Sequence, residues 1–328
     1  MANRRRAACR ALGALALSAS LGALTLAMSG AHAEGKQITL GFAQVGAESA
    51  WRTANTESVK SAAADAGIKL KFSDAQQKQE NQIKAIRSYI AQKVDVIAFS
   101  PVVESGWEPV LREAKAANIP VILTDRNVDV KDPSLYVTMI GSDFLEEGRR
   151  GGRWLEEHYK NDKGPINIAE LQGTVGSAPA NDRHAGLMEV IKNDPKFKII
   201  ASQSGDFTLA GGKQVMEAFA KTYGNKINVV YAHNDDMALG AIQAMEEAGM
   251  HPGKDIAVVS FDATKGGFQA MAAGKMSVDV ECSPLLGPQL MTAVKDVVAG
   301  KQLPRRIVTE ETVFPMSVAA ETLPKRKY

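Results

Sequence analysis

The chain has 328 residues, of which 45% are hydrophobic and 23% charged, a composition typical of a globular protein large enough for two cores. Lysine and arginine total 39 against 37 acidic residues, but four of the arginines lie within the first ten residues, with no acidic neighbour. Without these four the balance is 35 to 37, which gives no electrostatic reason to expect a nucleic-acid partner.

Residues 1–33 are predicted to be a secretory signal peptide. A basic start precedes an apolar run over 11–28, and Ala31-His32-Ala33 fits a cleavage site of the A-x-A type. The alternative is an uncleaved membrane anchor, which the serines within the run and the small residues after it disfavour. We therefore expect export to the periplasm, with a mature chain that begins near Glu34.

Cleavage of this leader removes Cys9 and leaves Cys282 as the single cysteine. An intramolecular disulfide is then impossible, so stability must come from packing. Cys282 follows an apolar segment, where a cysteine is more often a packing residue than a nucleophile.

From Gln37 onward, short β-branched runs alternate with longer amphipathic segments such as 81–92, in which apolar residues recur at helical spacing. This alternation predicts an α/β fold whose parallel sheets are built from βαβ units. The predicted strands are 38–42, 69–73, 94–99, 121–124, 166–171, 199–202, 228–232, 256–261 and 276–280.

The order of elements repeats, and this repeat predicts two similar doubly wound lobes. Strand ends in the two halves carry polar residues or glycine at similar intervals: Gln44, Asp74, Ser100 and Asp125, then Gly173, Asp206, Asn234 and Asp262. The carboxyl ends of parallel strands form the ligand crevice of such sheets, so we expect a cleft between the lobes. The alternative is that the acidic and amide side chains only cap the following helices.

The first predicted turn supplies Glu48, Ser49, Trp51 and Arg52 as candidate ligand-binding residues. An aromatic face suits the apolar C–H face of a sugar, and a guanidinium can bind its hydroxyl rim. A single tryptophan near a helix start is more often a packing residue. The turn contains only Gly46, so the glycine pattern of a dinucleotide site is absent.

Later strand ends supply further candidates. Asp125 and Arg126 can together bind adjacent hydroxyl groups, although an ion pair at a lobe edge is the alternative. The second half offers Arg183, Phe207, Asn234, Asp262 and Glu281 in comparable places. For Glu281, a solvated strand end is an equally good interpretation.

Catalytic and metal motifs are not supported. The segment 211–214 lacks the Ser or Thr that follows the lysine of a phosphate loop, and 176–179 lacks the nucleophile elbow. The segment 233–236 (His-Asn-Asp-Asp) has no accompanying metal-binding spacing. We therefore expect no enzyme activity, no cofactor and no metal.

Over residues 36–328 the chain resembles the periplasmic sugar-binding proteins of ABC importers, the ribose-binding-like group of the type I periplasmic binding fold, and within it galactofuranose-binding members. The resemblance is carried by the runs 41–52 (GFAQVGAESAWR), 74–87, 100–111, 170–176, 202–207 and 231–237. Ala50 departs from the glycine expected between the serine and the tryptophan.

The resemblance implies a monosaccharide ligand, with galactofuranose the first expectation, and a membrane permease as partner of a monomer. It places Glu48, Ser49, Trp51, Arg52, Asp125, Arg126, Arg183, Asn234 and Asp262 in the sugar site. It also implies three crossovers, near residues 142, 282 and 308. The N-terminal lobe would then hold 36–141 and 283–308, and the C-terminal lobe 142–282 and 309–328. Ligand binding should favour a closed state of the lobes.

Two alternatives remain open at this point. A repressor-like sugar-sensing regulator would need a DNA-binding domain before the core, where an export signal stands instead. A ligand-binding component of a chemoreceptor is neither supported nor excluded by the sequence.

Overall fold

The computed structural model describes residues 36–328, and residues 37–328 form one compact unit. The predicted signal peptide lies outside the described residues. Within the described part of the chain, no helix is both long enough and apolar enough to cross a bilayer.

The first half of the chain alternates strictly between strands and helices and then ends on two successive strands. Its elements are β1 (Thr39–Gln44), α1 (Ala50–Asp65), β2 (Lys69–Asp74), α2 (Gln79–Ala91), β3 (Val96–Phe99), α3 (Glu108–Ala116), β4 (Val121–Thr124) and β5 (Thr138–Gly141).

The second half begins with a helix and repeats the same alternation. Its elements are α4 (Phe144–His158), β6 (Ile166–Gln172), α5 (Ala178–Ile191), β7 (Phe197–Ser204), α6 (Leu209–Tyr223), β8 (Val229–Ala232), α7 (Asp235–Glu247), β9 (Ala257–Asp262), α8 (Lys265–Ala272) and β10 (Val278–Glu281). The C-terminal segment adds α9 (Gly287–Val298), β11 (Arg306–Val308), β12 (Val313–Pro315) and α10 (Ala319–Thr322).

The strands form two sheets with the same strand order, which confirms the predicted α/β class with two similar doubly wound sheets. The first sheet has the order β11-β5-β4-β3-β1-β2, and the second has the order β12-β10-β9-β8-β6-β7. All pairs are parallel except β10 with β12, which is antiparallel. The chain changes sheet after β5, after β10 and after β11, while the exact lobe limits stay a prediction.

Apolar clusters cover both faces of each sheet, and the central strands β3, β4 and β8 are buried along their whole length. Strands buried on both faces carry continuous apolar runs instead of alternating ones, which is why their sequences could be recognised. The short strands β5, β11 and β12 were not predicted.

Candidate ligand-binding site

A cavity lies where the carboxyl ends of the two sheets face each other. Ten of the eleven predicted site residues line it: Glu48, Ser49, Trp51, Arg52, Asp125, Arg126, Arg183, Phe207, Asn234 and Asp262. Three further residues complete the lining, namely Phe144, Pro179 and Cys282.

The start of α1 supplies one wall. Ser49 caps the helix, because its Oγ accepts a hydrogen bond from the backbone N of Arg52 at 3.0 Å. The Arg52 guanidinium binds Glu48 Oε1 at 3.0 Å and Asp125 Oδ2 at 2.8 Å. Burial by itself lowers the pKa of Arg52, but the carboxylates of Asp125 and Glu48 outweigh burial and raise it. Arg52 is therefore a fixed, charged donor.

Asp125 is presented by a strained turn. Its φ of 62° is in the left-handed region, and its backbone N donates to Ile140 O at 2.7 Å. A β-carbon on Gly141 would lie 2.9 Å from Asp125 O, so the glycine permits this close approach. Ser100 Oγ donates to Asp125 Oδ2 at 2.9 Å, which fixes the carboxylate.

Arg126 reaches from the first sheet toward the second. Its Nη1 donates to Val102 O at 3.1 Å, and its guanidinium carbon lies 5.2 Å from the centroid of the Phe207 ring. Burial, followed by the nearby charge of Arg52, lowers the pKa of Arg126 to about 10. Its Nε is buried and has no hydrogen-bond partner among the described residues.

Arg183 holds the corresponding place in the second half. Its Nε binds Glu147 Oε2 at 2.8 Å, its Nη1 donates to the carbonyl of His233, and its Nη2 lies 3.7 Å from Asp262 Oδ1. The planar guanidinium also lies over Phe144, at 5.2 Å. These contacts orient Arg183 before any ligand binds.

Asn234 and Phe207 are linked. The Asn234 Oδ1 caps α7 by accepting from Met237 N at 3.0 Å, and its Nδ2 donates to Phe207 O at 3.1 Å. The Phe207 ring lies against Gly173, where a β-carbon would be only 1.8 Å from a ring atom. The glycine after β6 therefore makes the space for this aromatic side chain.

Basic and acidic side chains both line the cavity. The basic residues are Arg52, Arg126 and Arg183, and the acidic residues are Glu48, Asp125 and Asp262. Such a lining suits a neutral ligand with many hydroxyl groups better than a phosphate or a carboxylate.

Direct contacts close the cleft at its edges. Ala50 N donates to Asp236 Oδ2 at 3.0 Å, Glu104 N donates to Gly176 O at 2.9 Å, and Asn181 Nδ2 donates to Glu104 Oε2 at 2.7 Å. The structure is therefore a closed arrangement of the two sheets.

Glu281 lies outside the cavity, contrary to its predicted placement. Its Oε1 accepts hydrogen bonds from Arg326 Nη1 at 2.8 Å and Tyr328 Oη at 3.2 Å. These partners come from the C-terminal residues and draw the carboxylate away from the ligand-facing end of β10.

Cys282 acts at the cavity through its backbone carbonyl and not through a reactive thiol. Its carbonyl accepts from Trp51 Nε1 at 2.7 Å, which fixes the indole ring. Burial raises the pKa of the Cys282 thiol well above its ordinary value, the opposite of what activates a nucleophile.

A polar cluster behind the cavity joins the crossover segments. Glu311 Oε1 accepts from Ser142 Oγ at 2.5 Å, Ser283 N at 2.8 Å and Thr309 Oγ1 at 2.8 Å. Within the described residues, Glu311 forms with Glu147 and Cys282 a group of metal-ligand types. Because hydrogen bonds already engage the Glu311 oxygen, we interpret the cluster as a connection between crossovers.

The residues that sequence reasoning missed come mostly from these crossovers. Phe144 begins α4 just after the first crossover, and Cys282 follows β10 at the second. Their only sequence signal was proximity to an expected crossover.

Comparison with known proteins gives extensive matches. A profile of the periplasmic binding protein domain matches residues 40–302. The galactofuranose-binding protein YtfQ of Escherichia coli K12 is 48% identical over 315 residues, which are 95% of this chain and 96% of that protein.

Two solved structures are similar over both sheets. A Mycobacterium smegmatis protein in complex with β-D-fucofuranose has a TM-score of 0.87 and 58% identity, covering 89% of this chain and 95% of that one. The binding-protein component of an arabinose ABC transporter from Shewanella sp. ANA-3, bound to α- and β-L-arabinofuranose, has a TM-score of 0.85 and 52% identity, covering 88% and 95%.

Proposed function

The chain belongs to the periplasmic binding protein family, and we propose that it binds a monosaccharide in its furanose form, galactofuranose first, and delivers it to an ABC importer. In this proposal the protein is exported, acts as a monomer and performs no chemistry on the sugar. The sugar occupies the cavity between the two sheets, and the importer's permease recognises the closed form.

The observation that carries the proposal is a pair of polar atoms in the cavity wall that lack a hydrogen bond. Glu48 Oε2 and Arg126 Nε are buried and have no hydrogen-bond partner among the described residues. Arg126 Nε lies 3.7 Å from Asp125 Oδ2, which is an ion-pair distance and too long for a hydrogen bond. Buried polar groups are nearly always satisfied, so an acceptor and a donor left unpaired in one cavity favour a ligand that supplies both. A sugar hydroxyl does so, because each can donate and accept.

The aromatic residues support the same ligand class. Trp51 and Phe207 line the cavity from opposite sides. The Trp51 indole donates to Cys282 O, and the Phe207 carbonyl accepts from Asn234 Nδ2. Aromatic faces contact the apolar C–H surface of a sugar ring, while the arginines and carboxylates bind the hydroxyl rim.

The preference for a furanose rests on the relatives. The ligands of the three relatives described above are galactofuranose, fucofuranose and arabinofuranose, and each relative is 48–58% identical to this chain. These ligands share a five-membered ring that carries an exocyclic arm. The arm of arabinofuranose is shorter than the other two.

The test is to identify the bound ring form directly. The mature protein, residues 34–328, is mixed with galactose labelled with ¹³C at the anomeric carbon, and the bound anomeric signal is recorded. We expect the furanose signal, although furanose is the minor form in solution. Thermal shift against a panel of other sugars and nucleotides gives the range of ligands, since a ligand at 100 times its Kd adds about 2.7 kcal/mol of stability.

Two results would contradict the proposal at different levels. A bound pyranose signal would refute the ring form and leave sugar binding intact. A flat response to every sugar, with a shift for another small molecule, would refute the ligand class.

A further inference from the structure

The second sheet contains two adjacent buried carboxyl groups that take no part in lining the cavity. Asp235 is the first residue of α7, Asp279 lies in β10, and both side chains are completely shielded from solvent. Ionised carboxylates are rarely buried without a strong compensating interaction, so this pair needs a physical explanation.

The pair is bound to the turn that follows β9. Asp235 Oδ2 accepts from Thr264 N at 2.8 Å and Thr264 Oγ1 at 2.6 Å, and its Oδ1 accepts from Ser260 Oγ at 2.6 Å. Asp279 Oδ1 accepts from Ala263 N at 3.0 Å. Two successive backbone N–H groups of the turn are therefore held by the two carboxyl groups.

The remaining oxygen of Asp279 faces Asp235. A β-carbon added to Gly267 would lie 2.4 Å from Asp279 Oδ2 and 2.5 Å from Asp235 Oδ2, so the two oxygens flank one point. Among the described residues, no N–H or O–H group donates a hydrogen bond to Asp279 Oδ2. A proton on Asp279 completes the arrangement, because it allows a hydrogen bond to Asp235.

Electrostatics favours one shared proton. Burial raises the pKa of Asp279 well above the usual range, and the adjacent charge of Asp235 raises it further. Two neighbouring carboxylates in a low-dielectric interior cannot both be ionised, as in other acid pairs that share a proton.

The charges around the pair do not reverse this conclusion. Asp262 and Asp236 are also acidic, and Arg183 acts on Asp262 from α5. Further along β10, Glu281 is paired with Arg326, and Lys265 at the start of α8 is exposed.

The turn held by the pair carries a cavity residue in an unfavourable conformation. Asp262 has φ of 112° and Ala263 has φ of 58°, both in a region that side chains other than glycine rarely adopt. Such strain persists only where surrounding contacts impose it, and here the contacts are those made by Asp235 and Asp279. Asp262 is thereby turned toward Arg183 and the cavity.

We propose that Asp279 is a positioning residue for ligand binding, which donates its proton to Asp235 so that the two carboxyl groups together hold the 262–264 turn and present Asp262 to the sugar. This role rests on the proposed function. It makes affinity sensitive to loss of the shared proton at alkaline pH.

The test compares Asp279→Asn with Asp279→Ala. The asparagine amide can donate to Asp235 while its oxygen accepts from Ala263 N, so it imitates the protonated acid. We expect Asp279→Asn to bind galactofuranose within about threefold of the wild type at neutral pH, and Asp279→Ala to bind at least about tenfold more weakly. Asp65→Asn, at an exposed position of α1, is the control.

The decisive readout is the pH profile of the Kd. The affinities of the wild type and of the Asp65→Asn control should fall as pH rises and the shared proton leaves. The affinity of Asp279→Asn should stay level up to about pH 10, where Arg126 begins to lose its own proton. A purely structural role of the side chain would not give this rescue. Equal affinity and equal pH profiles for wild type, Asp279→Asn and Asp279→Ala would overturn the proposal.

A ligand-free measurement separates this proposal from the function on which it rests. A carboxyl ¹³C titration of Asp279 should show a protonated group at neutral pH, and an ionised group there would overturn the shared proton. The raised pKa also means that stability present below pH ~4 is lost as pH rises through the folded-state pKa. Asp279→Asn should remove this part of the pH dependence of unfolding, whether or not any sugar binds.

Discussion

Replacing Asp125 by alanine tests the cavity most directly. Asp125 Oδ2 is bound by Arg52 Nη2 at 2.8 Å and Ser100 Oγ at 2.9 Å, and the residue is 4% exposed. Alanine removes the acceptor for a ligand hydroxyl and leaves the buried Arg52 with one carboxylate fewer. A hydrogen bond to a charged group contributes about 1.5–3 kcal/mol, so we expect the Kd to rise about 10- to 150-fold.

The assay is isothermal titration calorimetry with galactofuranose, alongside urea unfolding without ligand. Asp129→Ala is the matched control, because Asp129 follows the same strand but is exposed. Breaking the buried pair with Arg52 should also lower the free energy of unfolding, by about 3–5 kcal/mol. An unchanged Kd together with weakened folding would refute the ligand role and leave Asp125 as a structural partner of Arg52.

Three further changes test separate parts of the structure. Gly173→Ala places a β-carbon 1.8 Å from the Phe207 ring, so calorimetry should show affinity at least about tenfold weaker, and overpacking should lower the unfolding free energy by about 1–3 kcal/mol. The control Gly164→Ala, whose β-carbon would lie in open space, should change neither quantity. Burial raises the pKa of Asp236 to about 6, so the stability that this group contributes below pH ~4 is lost as pH rises through about 6. Asp236→Asn should remove this pH dependence of the unfolding free energy, which is at most about 3 kcal/mol, and urea unfolding from pH 4 to 7 measures it. Glu311→Ala removes the acceptor shared by the crossovers and should lower the unfolding free energy by about 2–3 kcal/mol, and a smaller loss than about 1 kcal/mol would contradict a role in joining them.

The positions at the cavity could be predicted where geometry follows from strand direction. Asp125 directly follows β4, Asn234 lies two residues after β8, and Asp262 is the last residue of β9. Parallel strands bring their carboxyl ends to one edge. The alternative interpretation of these residues as helix caps was also partly right. Asn234 caps α7 and lines the cavity at once, with its two amide atoms divided between these roles.

Other features depend on contacts that no local pattern contains. Glu281 accepts hydrogen bonds from Arg326 and Tyr328, which lie 45 and 47 positions later in the chain. The strand β5 has four residues and is recognisable only through its pairing with β4 and β11. The lining by Phe144 depends on the path of a crossover, which periodicity does not give.

The unpaired cavity atoms also explain how a ligand would control closure. In the closed arrangement without a ligand, leaving Glu48 Oε2 and Arg126 Nε without a hydrogen bond costs about 1–3 kcal/mol each. The three hydrogen bonds at the cleft edges contribute about 0.5–1.5 kcal/mol each, and they offset much of this cost. A bound sugar satisfies both atoms, so the same groups that recognise the ligand also shift the equilibrium toward closure. Under the proposed function, the importer can then distinguish loaded from unloaded protein by shape alone.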